Sequence, residues 1–275
     1  MTINCKGQLI DLSTPKVMGI LNVTPNSFYD GGKFKCEVEI LSQVRKMISE
    51  GATFIDIGGY SSKPKAEYVS EKEELLRIIT VVELIQKHFP KMLISIDTFR
   101  SEVARICIEN GAAIINDISS GSIDDKMMET VAKYDVPYIM MHKRGTPETM
   151  QKMTNYENIV KEILFYFSGK VATVRSFGIN DLIIDPGFGF AKTLDQNYEV
   201  LQKFELFDIL ELPLLIGVSR KSMIYNVFKC TPEESLNGTS VLNTIALTKG
   251  AKILRVHDVK EAMECVTLFN KINQF

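Results

Sequence analysis

The sequence is poor in the residues that usually build metal clusters. Its 275 residues include three histidines and five cysteines, and no two cysteines form a Cys-x-x-Cys pair. A zinc site of several histidine and cysteine ligands is therefore not expected. The cysteines are scattered at positions 5, 36, 107, 230 and 265. This distribution is typical of reduced thiols and predicts a cytoplasmic protein.

Long apolar runs and an excess of one charge are also missing. No run approaches the ~18 apolar residues that a membrane span needs, and the amino-terminal stretch MTINCKGQLIDLS lacks the apolar core of a signal peptide. The formal net charge of −2 gives no reason to expect a nucleic-acid or membrane partner. No linker-like segment divides the chain, so we expect residues 1–275 to form one domain.

Short apolar runs alternate along the chain with longer segments of helical period. Eight of the runs are predicted strands: VMGILN (17–22), TFIDIG (53–58), LISID (93–97), AIIND (113–117), PYIMMH (137–142), LIID (182–185), PLLIGVS (213–219) and KILRVH (252–257). Continuously apolar strands are typical of a parallel sheet buried on both faces. Eight β–α units in one chain of this length favour an α/β fold of the (β/α)₈ TIM-barrel type. A doubly wound sheet is less favoured, since no glycine-rich dinucleotide fingerprint follows the first strand.

Shorter signals predict the details of this fold. TINCKGQLIDL, residues 2–12, predicts a short N-terminal β-hairpin that turns at Lys6-Gly7. Ser70 with Glu73, and Asp258 with Glu261, have the spacing of capping boxes and predict two helix N-termini. A further helix is predicted over 195–206 from its apolar periodicity.

Each predicted strand ends in a glycine or a hydrogen-bonding side chain. In chain order these residues are Asn22, Gly58-Gly59, Asp97, Asn116-Asp117, His142, Asp185, Ser219 with Arg220-Lys221, and Arg255 with His257. The carboxyl ends of all strands of a barrel meet at one rim, where active sites are built. We therefore expect one shared site, although a helix N-cap is the favoured interpretation for Asp117 and Asp258 taken singly. His142 is expected to be structural or a loop anchor.

Two kinds of chemistry are combined at this rim. Asp97, Asn116 and Asp185 can together accept from and donate to a planar heterocycle with an amino group and an amide edge. Donors from the last two units predict an anion site, where barrels often hold phosphate. Its members are Lys221, Arg255 and His257, with Asn22. A surface cation or salt bridge is the alternative for the lysine and the arginine, and a core or capping residue for the histidine.

The loops after the first two strands are long and rich in glycine, proline and serine. They read NVTPNSFYDGGKF (22–34) and GGYSSKPKAEYVS (58–70). Loops of this length on a rigid scaffold are commonly lids or binding loops. Phe28 and Tyr60 would be exposed aromatics unless a ligand covers them. The alternative is that both loops are irregular surface turns.

The motifs at the strand ends resemble those of one enzyme family, in order and along essentially the whole chain. They are GILNVTPNSFYDGG, DIGGYSSKP, SIDT, INDISSG, MMHKRGTPETMQ, IIDPGFGFAKT, GVSRKSMI and LNGTSVLNTIALTKGAKILRVHDV. Together they resemble the dihydropteroate synthases of folate biosynthesis. The resemblance implies a pterin-binding TIM barrel, usually a homodimer, that is a sulfonamide target. It also implies a Mg²⁺-assisted transferase that condenses 6-hydroxymethyl-7,8-dihydropterin diphosphate with 4-aminobenzoate, giving 7,8-dihydropteroate and diphosphate.

The resemblance also implies a role for individual residues. The pterin ring would be bound by Asp97, Asn116, Asp185 and Lys221, with Met140 as an apolar wall. The diphosphate would be bound by Arg255, His257 and Asn22, and Asn22 would also be a Mg²⁺ ligand. The remaining substrate-binding residues would be Phe28, Pro64, Phe190 and Ser222 for the aminobenzoate, Ser62 and Lys63 in the second loop, and Gly217. Asp97, Lys221 and Arg255 would be catalytic. Lys63 stands where the family commonly has arginine, which keeps the charge but loses the bidentate fork.

Three other functions remain as alternatives. A methyltetrahydrofolate-binding methyltransferase that works with a corrinoid protein would share the pterin pocket but would not need the anion cluster. A catalytically silent pterin-binding protein would be expected to lose Asp97, Asp185, Lys221 or Arg255, and all are present. A metal-dependent barrel hydrolase would need several histidine and carboxylate ligands, whereas only His142 and His257 are predicted at the rim.

Overall fold

The chain begins with the predicted hairpin. The structure, a computed structural model, describes residues 1–23, 33–60, 69–146 and 149–274. Strands β1 (Thr2–Cys5) and β2 (Gln8–Asp11) pair antiparallel. The two residues between them are left-handed, with φ of 56° at Lys6 and 81° at Gly7. Two such residues form the turn that matches the twist of a tight hairpin, which confirms the prediction.

Eight further strands form one parallel sheet that closes into a barrel. They are β3 (Lys16–Asn22), β4 (Phe54–Gly58), β5 (Leu93–Asp97), β6 (Ile114–Asp117), β7 (Tyr138–Met141), β8 (Leu182–Asp185), β9 (Leu215–Ile216) and β10 (Ile253–Val256). Their order is β8-β7-β6-β5-β4-β3-β10-β9, and a parallel bridge between Ile184 and Leu214 joins the two edges. The predicted (β/α)₈ architecture is confirmed.

Helices follow the strands and cover the outside of the barrel. In the described ranges they are α1 (Lys33–Ser49), α2 (Glu71–His88), α3 (Ser101–Glu109), α4 (Met127–Tyr134), α5 (Ile159–Ser176), α6 (Leu194–Gln202), α7 (Ser222–Phe228), α8 (Leu236–Thr248) and α9 (Val259–Ile272). None of these described helices is long and apolar enough to cross a membrane.

Two predicted boundaries are wrong. The helix expected over 195–206 ends at Gln202, and a 3₁₀ segment, Phe204–Leu210, follows it. The strand expected over 213–219 is reduced to the two residues of β9. After β9 the backbone leaves the ladder and turns through Arg220, whose φ is 53°, to begin α7.

The predicted helix caps are only partly correct. Ser70 Oγ accepts the backbone N–H of Glu73 at 3.3 Å, as expected for an N-cap. Asp258 makes no such bond, because its carboxylate forms a bidentate ion pair with Arg220 at 2.7 and 2.8 Å. Asp117 is not a cap either, since its carboxylate accepts the N–H groups of the loop that follows it, at Ser119 and Gly121, both at 2.7 Å. Asp117 is therefore a loop anchor.

The core has an inner and an outer part. Inside the barrel, Ile3, Cys5, Ile10 and Leu12 of the hairpin segment pack in one cluster with inward strand residues such as Phe54. The outward strand residues pack against the helices in a second cluster. The hairpin thus closes the amino-terminal end of the barrel with apolar side chains. The polar strand residues lie towards the carboxyl ends.

Candidate active site

A row of residues in register crosses four adjacent strands at the rim, with polar side chains on three of them. The sheet register pairs Asn22 with Gly58, Gly58 with Asp97, and Asp97 with Asn116. Residues paired in this way point to the same face of a sheet, which here is the inside of the barrel. A Cβ added to Gly58 would lie 3.6 Å from Asp97 Cβ and 3.8 Å from Asn22 Oδ1. The side chains of Asn22 and Asp97 therefore converge above this glycine.

Arg255 crosses the barrel to join this row. Its Nη2 donates to Asp97 Oδ2 at 2.8 Å, and its Nε donates to Asp56 Oδ2 at 2.6 Å. Burial favours a neutral guanidine, but Asp56 and Asp97 outweigh it and raise the pKa of Arg255. Burial also raises the pKa of Asp97 to about 7, although the attraction of Arg255 opposes that rise. The arginine is thus a permanent cation between two carboxylates.

Asp56 is a site residue that the sequence patterns did not identify. It lies inside β4, two residues before the strand end, and is 0% exposed. A carboxylate within an otherwise apolar buried strand is costly unless it is paired. The aspartate within FIDIG was the one available signal in the sequence, and a search of the strand ends does not include it.

Asp185 and Lys221 form the second half of the site. Asp185 ends β8, and its Oδ1 accepts the N–H of Gly187 at 2.8 Å. Burial raises the pKa of Asp185, and the Lys221 ammonium opposes the rise. Lys221 Nζ donates to the carbonyl of Phe188 at 2.5 Å and lies 4.7 Å from the centre of the Phe190 ring. Burial lowers the pKa of Lys221 to about 8, with Asp185 limiting the fall.

The loop after β8 is held in place by a buried lysine that was not predicted. Lys192 is 4% exposed, and its Nζ donates to the carbonyls of Gly187 at 2.8 Å and Phe190 at 3.1 Å. Gly187 has φ of 74°, and a Cβ there would lie 2.1 Å from the carbonyl oxygen of His142. Only glycine fits this close passage. The sequence DPGFGF therefore fixes where Asp185 and Phe190 lie.

His142 has the structural role that was expected of it. The ring is 2% exposed, lies edge-on to Tyr166 with centroids 5.0 Å apart, and has Nδ1 3.2 Å from Lys192 Nζ. Burial, reinforced by the Lys192 charge, lowers the pKa of His142 to about 2. The folded protein thus keeps this histidine neutral over the whole working range.

The neutral His142 predicts a loss of stability in mild acid. Below the ordinary pKa of 6.5 the unfolded chain binds a proton that the folded chain does not, so the free energy of unfolding falls as pH falls. At about 1.4 kcal/mol per pH unit, the loss from this group between pH 7 and pH 5 is about 2 kcal/mol. His142→Gln should remove that part of the pH dependence in urea unfolding. His88→Gln, at the exposed end of α2, is the matched control, and equal pH dependence in all three proteins would contradict the assignment.

The remaining predicted anion-binding residues lie near the last two strands. Ser219 Oγ accepts the backbone N–H of His257 at 3.2 Å and lies 2.9 Å from its ring Nδ1. The hydroxyl can donate to Nδ1 or accept from it, according to the tautomer of the ring. Ser222 is exposed at the first position of α7. Gly217 faces Arg255, since a Cβ there would lie 3.9 Å from Arg255 Cβ.

One predicted site residue is wrong and four cannot be compared. Met140 was expected to form a wall of the pocket, but it is fully buried in the outer cluster, among helix residues. Its neighbour Met141 is paired with Asp185 and therefore shares the inner face. Alternate residues of a strand point in opposite directions, so the error is one position. The predictions for Phe28, Ser62, Lys63 and Pro64 lie outside the described residues.

Comparison with known proteins defines the class to which this site belongs. The sequence matches the profile of the family described as pterin binding enzyme over residues 18–257, so the chain is a pterin-binding enzyme. It is 44% identical over 268 residues to the dihydropteroate synthase of Escherichia coli K12, covering 97% of this chain and 94% of that protein. The dihydropteroate synthase of Synechocystis is 43% identical over 250 residues, covering 90% and 86%. The chain belongs to the dihydropteroate synthases, transferases of folate biosynthesis.

Solved structures support the same assignment. The Yersinia pestis dihydropteroate synthase in complex with a sulfonamide drug has a TM-score of 0.93 and 40% identity, covering 100% of both chains. The Xanthomonas albilineans enzyme with 4-aminobenzoic acid has a TM-score of 0.91 and 33% identity, covering 100% of this chain and 98% of that one. The corrinoid methyltransferase, silent binding protein and metal hydrolase alternatives are therefore not needed. The chain is an enzyme with small-molecule substrates.

Proposed function

We propose that the chain condenses 6-hydroxymethyl-7,8-dihydropterin diphosphate with 4-aminobenzoate, releasing diphosphate and 7,8-dihydropteroate. The observation that carries this proposal is the meeting, at one end of the barrel, of three inward polar groups and two cations. The polar groups are Asp97, Asn116 and Asp185, and the cations are Arg255 and Lys221. In this proposal residues 1–275 are a single pterin-binding barrel domain that forms a homodimer.

The flat pterin ring would lie against the polar row. One carboxylate oxygen of Asp185 accepts the backbone N–H of Gly187. The other would accept from the 2-amino and N3–H edge of the ring. Asp97 and Asn116 lie side by side in register and would bind the ring along the opposite side. Lys221 is placed near Asp185 and can donate to the ring carbonyl or ring nitrogen. A buried, preorganised set of this kind gives both affinity and orientation.

The diphosphate would be held by Arg255, His257 and Asn22. Among the described residues, no group of three or more histidine, cysteine or carboxylate side chains could hold a metal ion by itself. Mg²⁺ bound to a phosphorylated substrate needs only one or two protein oxygens, because phosphate oxygens and waters complete the shell. The exposed amide oxygen of Asn22, beside Asp97, fits that requirement. When bound, Mg²⁺ would help to neutralise the charge on the leaving diphosphate.

The proposed chemistry is a dissociative substitution at the pterin methylene. As the carbon–oxygen bond breaks, negative charge grows on the diphosphate, where the Arg255 cation stabilises it. Positive charge develops on the methylene and spreads into the electron-rich dihydropterin ring, next to the Asp97 carboxylate. The weakly basic amine of 4-aminobenzoate then attacks the methylene and loses a proton. This sequence requires no protein nucleophile.

The aminobenzoate would bind nearer the rim than the pterin. Phe190 with Lys221 offers an aromatic and cationic surface, and the exposed Ser222 would meet the carboxylate of the substrate. The Xanthomonas relative was solved with 4-aminobenzoic acid and the Yersinia relative with a sulfonamide drug. We therefore infer that sulfonamides compete for this part of the site.

Purified protein supplied with Mg²⁺, the pterin diphosphate and 4-aminobenzoate is expected to form dihydropteroate and diphosphate in equal amounts. Product is measured by chromatography and diphosphate by a coupled assay, with omission of each substrate as the control. Folded protein that binds pterin but forms no product would leave only a binding function and would refute the proposal.

A further inference from the structure

Asp56 lies beneath the polar row and accepts hydrogen bonds from three different strands. Its Oδ1 accepts from Ser95 Oγ at 2.6 Å, and its Oδ2 accepts from Asn116 Nδ2 at 3.0 Å and from Arg255 Nε at 2.6 Å. The side chain is 0% exposed, and Ser95 beside it is 0% exposed as well. A carboxylate in this position acts only as an acceptor while it is ionised. Its two oxygens, each bonded to donors from other strands, can therefore orient those donors.

The bond to Asp56 determines the orientation of the Asn116 amide. An amide group has one donor end and one acceptor end, and the two look alike apart from their hydrogen bonds. Asp56 can accept only from the NH₂ end. The Oδ1 end of Asn116 is then left for the ligand, next to Asp97 in the same row. Asp56 thereby makes this side of the pocket a row of acceptors.

The same carboxylate also orients Arg255. The guanidinium is held by Nε on Asp56 and by Nη2 on Asp97, and two bonds from one planar group fix its plane. One buried residue is therefore shared by the amide that would face the ring and the cation that would face the leaving group. Neither bond involves Phe190 or Ser222.

We propose that Asp56 is a positioning residue that selects a ring with N–H donors along the edge facing Asn116, and that couples this edge to the diphosphate. The inference rests on the proposed function and extends it to a residue that does not touch the substrate. A ring with acceptor nitrogens at that edge would meet the Asn116 oxygen unfavourably. The selectivity would therefore come from Asp56, which lies beneath the residues that would contact the substrate.

The test uses Asp56→Asn and a swap that exchanges the two side-chain types, Asp56→Asn with Asn116→Asp. The single variant can turn the Asn116 amide around, because the introduced amide offers an N–H to it. The dissociation constant for the dihydropterin, measured by calorimetry, should rise about 10- to 100-fold, as for loss of other positioning partners. The KM for 4-aminobenzoate should stay within about twofold, since Phe190 and Ser222 are not bonded to Asp56.

The swap should recover at least about tenfold of that loss, because the introduced carboxylate again presents an acceptor and the total charge is unchanged. Ser95→Ala is the matched control: it removes another donor to Asp56 without touching Asn116 or Arg255, and pterin affinity should change less than about threefold. Unchanged pterin affinity in Asp56→Asn, or a swap no better than the single variant, would overturn the inference.

Two readouts keep the result interpretable. Circular dichroism and thermal unfolding establish that each variant is folded. If Asp56→Asn does not fold, the swap is compared with Asn116→Asp, and the swap must bind pterin more tightly. Wild-type protein that binds no pterin would refute the proposed function. Equal pterin affinity in the wild-type protein and in Asp56→Asn would refute the role of Asp56.

Discussion

Asp185→Asn should lower kcat/KM for the pterin diphosphate by about a hundredfold to a thousandfold. That factor corresponds to about 3–4 kcal/mol, the middle of the range of about 2–5 kcal/mol that loss of one partner from a buried charged hydrogen bond costs. The change keeps the shape of the side chain but replaces the acceptor oxygen that would receive ring N–H groups with a donor. Lys221 also loses the carboxylate that limits the fall of its pKa from the ordinary value to about 8. The variant lysine should therefore lose its charge at a lower pH.

The measurement is kcat/KM and pterin affinity between pH 6 and pH 9. On the alkaline side of the profile, kcat/KM falls as Lys221 loses its charge. In the variant this fall should occur at lower pH, because the pKa of the lysine is lower. Asp195→Asn is a matched control, since Asp195 lies exposed in the first turn of α6, close in sequence and outside the site. Retention of more than a tenth of the wild-type kcat/KM by Asp185→Asn would contradict the assigned role.

Arg255→Met should destabilise the protein by about 3–5 kcal/mol at pH 8, the range expected when one partner of a buried ion pair is removed. Asp56 and Asp97 are both left without their cation. The pKa of Asp97, already about 7, would then rise further, so the folded variant binds a proton over a wider pH range than the unfolded chain. Extra protons on the folded state make the free energy of unfolding fall as pH rises. The destabilisation should consequently be larger at pH 8 than at pH 5.

Urea unfolding at the two pH values measures this difference. Arg105→Met is the control for the substitution itself, because Arg105 pairs with Glu102 and Glu109 on the surface, with 37% of its side chain exposed. Such pairs contribute about 0–1 kcal/mol. A small, pH-independent loss in Arg255→Met would mean that water or neighbouring groups replace the guanidinium. Whatever the loss of stability, Arg255→Met should lose the affinity that the diphosphate group contributes to binding of the pterin diphosphate.

The sequence predicted the barrel and most of the rim for physical reasons that hold in many folds. Continuously apolar runs of strand length identify a buried parallel sheet, and topology then brings the residues after them to one end. Asp97, Asn116 and Asp185 were found because each ends such a run. Arg255 was found because it lies near the end of the last strand, in the units where barrels often hold phosphate, although its two carboxylate partners were not foreseen.

Other details depend on contacts that one-dimensional patterns do not encode. In PYIMMH both methionines are apolar and the strand is buried on both faces, so no alternation distinguishes Met140 from Met141. Asp56 was missed because it lies within a strand, where its partners come from three other strands. Lys192 looks like an ordinary surface lysine until the DPGFGF loop folds around it. The roles of Asp56 and Lys192 are evident only from the hydrogen bonds that they make in the folded protein.

The apolar hairpin at the amino-terminal end has a kinetic consequence. Ile3, Cys5, Ile10 and Leu12 seal that end of the barrel, so molecules reaching Asp97 must come and go through the opposite opening. In the proposed arrangement, where the aminobenzoate binds near Phe190 and closer to the rim than the pterin, an occupant of that outer position would block the way to the deeper one. Under the proposed function, the pterin would have to arrive before its partner, and a premature occupant of the outer position would delay turnover instead of assisting it.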